Sequence, residues 1–319
     1  MNVRKVAIIG CGNVGASIAF QLVEKGMFSE MVLIDLNKEK AEGEAMDLSH
    51  GLPYAAPMEI YAGDYKDIAD AAIIIITSGA AQKPGETRLD LIGKNSAIMR
   101  SIVEQINAVN PEGILLIVAN PVDILTHVAL KYSKLPKNRV MGSGTVLDTA
   151  RLKYLLAKKL DVDARNVHAV VIGEHGDSEF PVNSISNISG IPLIDFFEWK
   201  EMTGFEAMLH EIEEDVRMSA YEIIKKKGST YYGIAMAVSK ICQAIVNDEK
   251  SMLPVSAELE GEYGINGLAM SVPCIVGKGG IESVLEMPLS VLERRELKQS
   301  ASSLSKAMAQ LHFNEDTQQ

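Results

Sequence analysis

Cysteine is scarce in this sequence. Cys11, Cys242 and Cys274 are the only three in 319 residues, far apart and without a CxxC pair. An odd, scattered set supports neither a disulfide framework nor a zinc site, and no metal is expected. Long apolar runs are missing as well: AAIIII at 71–76 is far too short to span a bilayer, so no membrane partner is expected. The amino terminus enters a strand within a few residues and lacks the basic, apolar and small-residue zones of a secretory signal. With the unpaired cysteines, this leads to the expectation of a cytoplasmic protein. Positive charge is in deficit: 31 Lys and Arg stand against 42 Asp and Glu, and the pI is near 5.1. A surface of that sign is unsuited to tracking phosphate backbones, which excludes nucleic acid as an expected partner. There is no internal repeat and no low-complexity segment.

What is present is an ordinary globular composition, 47% hydrophobic and 23% charged, in a chain long enough for two domains. Short apolar strands at 3–10, 31–35, 58–63, 71–77, 113–119 and 139–144 alternate with amphipathic helical segments such as VGASIAFQLVEKG and SAIMRSIVEQINAV. Strands apolar on both faces belong in a parallel sheet covered by helices, the doubly wound α/β arrangement. Beyond that the texture is mixed α+β. A helix at TARLKYLLAKKL is followed by an apolar run, VHAVVIG, that reads as one strand. A helical tract from 203 to 247 breaks near Gly228, strands follow at MLPVSAEL and LAMSVPCIV, and a last helix spans about 288–313, with a frayed tail NEDTQQ. The division expected is a Rossmann-type doubly wound domain at 1–143 and a second, mixed α+β domain at 144–319.

The first chemical signal is Gly10-Cys-Gly12-Asn-Val-Gly15, placed after a strand and at the opening of a helix. Gly10 allows the tight turn, Gly12 lets the backbone approach a pyrophosphate, and Gly15 lets the helix pack on the strand. Asp35 follows at the end of the next strand, where a carboxylate accepts from ribose hydroxyls and repels a 2′-phosphate. The cofactor expected is NAD.

A nicotinamide cofactor requires a proton carrier beside the substrate. In IGEHGD, His175 sits between glycines that let a ligand approach, unlike His50, His127 and His210, which read as packed or solvated. Asp148 in GSGTVLDTAR is its expected orienting partner, fixing the tautomer and stabilising the imidazolium. Arg151, three residues on, shares that helix face and can grip a substrate carboxylate with its guanidinium fork. Without the histidine loop, Asp148 and Arg151 would read as a helix-surface salt bridge.

GCGNVG, Asp35, GAAQKPGETRLDL, VANPVD, GSGTVLDTAR, IGEHGD and KGSTYYGIA stand in the order and spacing of the bacterial L-lactate dehydrogenases, within the lactate/malate dehydrogenase superfamily. The chain resembles that family to about residue 312. The resemblance implies a fermentative glycolytic enzyme that interconverts L-lactate and pyruvate, with His175 as proton donor and acceptor. It implies that Arg88 lies on a loop closing over substrate and polarises the reacting carbonyl. Asn120, before a cis proline, would bond near the substrate oxygen, and Thr230 would line the substrate pocket. The cofactor contacts implied are Gly10, Gly12, Asn13, Val14, Gly15, Asp35, Gly79, Ala80, Val118, Asn120 and Ile234. Gln82 separates the substrates: the malate-specific branch carries an arginine there, and a desolvated second carboxylate without a counter-charge costs on the order of several kcal/mol.

The family also includes tetramers activated by fructose 1,6-bisphosphate, held where an arginine and a histidine of two subunits meet. His168 occupies the histidine place, but Lys153 stands for the arginine, which keeps the charge without the fork. A homotetramer is the expected assembly. Two alternatives stand beside this reading: a malate or other 2-hydroxy-acid dehydrogenase, and a non-catalytic NAD-binding protein, which would not need Arg88, Asp148, Arg151 and His175 together.

Overall fold

The computed structural model describes residues 2–80, 88–109 and 112–309, without the side chains of Arg88 and Leu89. Gln82 and the NEDTQQ tail lie outside the described residues.

The first half alternates strand and helix: β1 (Asn2–Ile9), α1 (Asn13–Lys25), β2 (Glu30–Ile34), α2 (Lys38–Gly51), β3 (Glu59–Ala62), β4 (Ala71–Ile76), α3 (Arg88–Val109), β5 (Ile114–Ile117), α4 (Val122–Tyr132) and β6 (Val140–Gly142). The strands lie side by side in the order β3-β2-β1-β4-β5-β6, all parallel. The run AAIIII explains why this sheet is covered on both faces. Ile73 and Ile75 enter one core cluster, Ile74 and Ile76 the other, and all four are fully buried. Each such side chain contributes about 1.5–3 kcal/mol of burial before entropy is counted. Helix α1 buries Gly15, Ile18, Ala19, Leu22 and Val23, the spacing of a single helical stripe, and ends where Gly26 turns left-handed and donates to the Leu22 and Val23 carbonyls.

The second half contains α5 (Val146–Leu160), β7 (Val167–His168), β8 (Val171–Ile172), β9 (Phe180–Pro181), β10 (Asn187–Ile188), β11 (Ile191–Pro192), α6 (Leu193–Trp199), α7 (Phe205–Lys227), α8 (Tyr232–Val246), β12 (Ser251–Glu260), β13 (Asn266–Gly277), β14 (Gly280–Val284) and α9 (Val291–Ala309). Strands β12, β13 and β14 extend the large sheet in antiparallel fashion beyond β6, and α8 packs against α1. The helical tract breaks at Gly228 as its sequence predicts.

One expectation fails. VHAVVIG is not one strand: β7 pairs with β10, while β8 pairs with β9 in a separate sheet. The cause is local. The Val171 N–H donates to Thr149 Oγ1 at 2.9 Å, and its carbonyl accepts from Thr145 Oγ1 at 2.6 Å, so α5 and the residue preceding it take the backbone bonds that a continuous ladder would use. Val167 and Val171 consequently pack with α5 and α7, while Val170 and Ile172 join the main core.

Candidate active site

The strand order reverses between β1 and β4, which opens a crevice beyond their carboxyl ends, where open α/β sheets bind ligands. The glycine turn lies there. A Cβ on Gly15 would stand 1.9 Å from the Gly10 carbonyl oxygen, so that glycine serves the packing of α1 on β1. A Cβ on Gly12 would meet nothing within 4 Å, so its bareness serves something outside the chain. Gly12 also caps α1 without any side-chain hydrogen bond, and the first turn holds no acidic residue. An open cradle before an uncapped helix end fits a pyrophosphate.

Asp35, just past β2, is drawn to the same turn. Its Oδ2 accepts from the Cys11 N–H at 2.7 Å and its Oδ1 from the Asn37 N–H at 2.9 Å. Each oxygen retains a lone pair for a ribose hydroxyl. On the other side of the crevice, buried Asn95 ties two loops together. It accepts from the Ala80 N–H at 2.7 Å and donates to the Asn120 carbonyl at 3.0 Å, which sets Gly79, Ala80 and Asn120 along one wall. The Asn120–Pro121 bond is cis. Val14, Val118 and Ile234 pack into one core cluster, and Asn13 Nδ2 donates to Ser229 Oγ at 3.1 Å, next to Thr230. The crevice residues therefore fit a dinucleotide.

The histidine loop is fastened at several points. Gly173 and Gly176, at φ +105° and +137°, supply backbone turns that a side chain would strain, and they flank Glu174-His175. Gly173 bridges to Ser271 of β13, and the Glu174 N–H donates to Ser300 Oγ of α9 at 2.8 Å. The His175 N–H donates to Asp123 Oδ2 at 2.7 Å, and Asp123 Oδ1 accepts from Ser271 Oγ at 2.9 Å. Helix α4, strand β13 and the loop are thereby joined through one buried carboxylate.

The imidazole then meets α5. Its Nδ1 lies 2.7 Å from Asp148 Oδ2, and Arg151 Nη1 donates to Asp148 Oδ1 at 2.5 Å. Asp148 is fully buried, whereas the His175 side chain keeps a quarter of its surface open. Glu179 Oε2 stands 3.4 Å from the same Nδ1 and also accepts from the Gly176 N–H at 3.2 Å. Burial alone would push the His175 pKa down. The charge and hydrogen bond of Asp148, then those of Glu179, outweigh it and hold the imidazole well above its ordinary value. Burial pushes Asp148 up, but the His175 charge and hydrogen bond and the Arg151 charge hold it below the carboxylate range. Glu179 is raised, by burial first and by the Asp148 charge.

Asp148, Arg151 and His175 are thus brought together as their sequence pattern predicts. The Asp148–Arg151 salt bridge is real as well, but it is buried rather than superficial. Lys153 and exposed His168 line a different cavity, of about 640 Å³, among mostly apolar side chains that include Met236, Met252 and Met287. Three residues of the site receive no role from the motif reading. Asp123 closes the motif VANPVD but reads there as a lone acid before an apolar stretch, Glu179 follows His175 by four positions, and Asn95 gives no signal in one sequence.

A crevice for a dinucleotide and a carboxylate-held imidazole beside it define an NAD-dependent oxidoreductase. The family model for the lactate/malate dehydrogenase NAD binding domain matches residues 4–142, and that for its alpha/beta C-terminal domain matches residues 145–314. An L-lactate dehydrogenase of Priestia megaterium is 53% identical over 301 residues, covering 94% of each chain. Among solved structures, a lactate dehydrogenase from a Medee basin deep-sea metagenome library superposes with a TM-score of 0.95 at 43% identity, covering 98% of this chain and 100% of that one. The minor L-lactate dehydrogenase of Enterococcus mundtii, in its ligands-bound form, gives 0.95 at 41% identity and the same coverage. The chain belongs to the lactate/malate dehydrogenase family.

Proposed function

We propose that the protein is an L-lactate dehydrogenase that interconverts L-lactate and pyruvate with NAD. The observation that carries the chemistry is the Asp148–His175–Arg151 array, in which one carboxylate holds both an imidazole and a guanidinium. The cofactor, when bound, would supply the hydride as NADH in reduction and accept it as NAD+ in oxidation. Gly10, Gly12, Asn13, Val14, Gly15 and Asp35 hold its adenosine and pyrophosphate side, and Gly79, Ala80, Val118, Asn120 and Ile234 border its nicotinamide side. Arg151 anchors the substrate carboxylate through N–H donors beyond the one given to Asp148. Arg88 and His175 polarise the ketone, Asn120 and Thr230 help to seat the substrate, and His175 passes a proton from Nε2 to the carbonyl oxygen in reduction. General acid help of this kind contributes roughly 10² to 10⁴ in rate. Gln82, neutral, favours pyruvate over a dicarboxylate. Oxidation of NADH by pyruvate, measured against oxaloacetate, tests the reading. Activity confined to oxaloacetate would turn it toward a malate dehydrogenase, and none on any 2-keto acid toward a non-catalytic protein.

Asp148, Arg151, His175 and Thr230 lie after residue 143 and the glycine turn with Asp35 before it, which supports a division at 1–143 and 144–319. The chain works in the cytoplasm, consistent with three free cysteines; among the described residues, no helix is long and apolar enough to cross a membrane. It assembles as a homotetramer, and the apolar cavity beside Lys153 and His168 is suited to cover by a second copy. We propose further that fructose 1,6-bisphosphate is held by Lys153 and His168 there, the alternative being two surface residues that hold no ligand. Burial holds the Lys153 ammonium below its usual pKa, which makes a nearby phosphate more valuable to it. Light scattering tests the assembly, and pyruvate saturation curves with and without the sugar bisphosphate test the activation.

A further inference from the structure

The charges around the imidazole do not balance through Asp148 alone. That carboxylate is shared, with Oδ2 on His175 and Oδ1 on Arg151. When His175 is protonated, two cations face one buried anion. Glu179 supplies the second: its side chain is 4% exposed, its Oε2 lies 3.4 Å from Nδ1, and the Gly176 N–H fixes it there. Two cations and two carboxylates leave the protonated array neutral. Loss of the proton leaves an excess negative charge where little water can screen it.

We infer that Glu179 is a positioning residue that stabilises the protonated form of His175 and so sets the pH range of catalysis. This rests on the proposed role of His175 as proton carrier. Other titratable and charged groups near this array are Asp123 beneath the His175 backbone, whose carboxyl pKa is pushed up by burial, buried Glu174, which accepts from Ser178 Oγ at 2.7 Å, and Asp177, Glu213, Arg217 and Glu296, which share with Glu179 a cavity of about 180 Å³. Asp177 accepts from Tyr221 and Glu213 from Asn183, whereas among the described residues Glu179 is the one carboxylate besides Asp148 that stands within 4 Å of the ring. The raised pKa of His175 has the Glu179 charge among its causes.

Pyruvate reduction needs the imidazolium and declines as pH rises through the His175 pKa, while lactate oxidation needs the neutral ring and declines as pH falls through it. Glu179→Gln keeps the shape and removes the charge. In this variant both midpoints, in kcat/KM against pH, should move down together by about one unit. Glu179→Asp, with the charge withdrawn by one methylene, should shift them less. Titration of 13C-labelled histidine, with the His175 signal identified by its loss in His175→Asn, should show the same downward shift in the cofactor-free protein. Midpoints that stay in place while only the plateau falls would overturn the inference, as would an unmoved His175 titration. A wild-type protein inactive on pyruvate would instead overturn the proposed function, and the histidine titration would still decide the role of Glu179.

Discussion

Asp148 and His175 stand 27 positions apart in the chain and meet through a 2.7 Å contact between Oδ2 and Nδ1. The carboxylate sits in the first turn of α5, and the ring lies on a loop fastened to three other elements, so neither can drift without the other. Asp148→Asn keeps the size and removes the charge. The imidazole should lose about one to three units of pKa, and reduction of pyruvate at neutral pH should fall roughly tenfold or more. A variant with an unchanged pH profile would remove Asp148 from this role.

Gly12 and Gly15 should respond to substitution in opposite ways. Gly15→Ala places a Cβ 1.9 Å from a backbone oxygen and should lower thermal stability, by about 1–3 kcal/mol. Gly12→Val puts its Cβ into open space in the protein alone, so the melting temperature should fall much less than for Gly15→Ala while NADH binding weakens at least roughly tenfold by fluorescence titration. If Gly12→Val bound NADH normally, the cradle would not hold the pyrophosphate.

The pH dependence has a definite sign. The folded-state pKa of His175 is raised, so the native protein binds that proton more tightly than the unfolded chain does. Its contribution to stability is complete below the ordinary histidine value of about 6.5 and is lost as pH rises through the folded value. Pyruvate reduction should remain strong above that ordinary value and then decline on the alkaline side. A decline centred at about 6.5 in a kcat/KM profile would show an imidazole without its carboxylates.

Much of the fold and part of the site were legible in the sequence because their signals are local. AAIIII marks a strand buried on both faces, and GCGNVG with Asp35 marks the crevice, since each motif carries its own backbone geometry. The paired positions of Asp148 and Arg151 follow from helical spacing. What was not legible depends on distant partners. VHAVVIG has the composition of one strand, but Thr145 and Thr149 capture the Val171 backbone and divide it. Asn95 and Asp123 act by bonding backbone groups 15 to 52 residues away, which no periodicity encodes. Glu179 lies close in sequence, but its meaning emerges only once Arg151 is seen to share Asp148.

The choice of substrate turns on position 82. Gln82→Arg adds the counter-charge that a second carboxylate needs, so the ratio of kcat/KM for oxaloacetate to that for pyruvate should rise, by roughly 10-fold or more at about 1.5–3 kcal/mol per charged hydrogen bond. A ratio equal to that of the wild type would show that this side chain does not face the substrate.

The most direct test of the central claim is single-turnover oxidation of bound NADH by pyruvate in His175→Asn. The proton carrier is then lost while the glycine turn and Asp35 are untouched. NADH should bind as in the wild type and turnover should fall by roughly 10² to 10⁴. Tight NADH binding with near wild-type turnover would contradict the account, because the proton would then be reaching the substrate oxygen from another group.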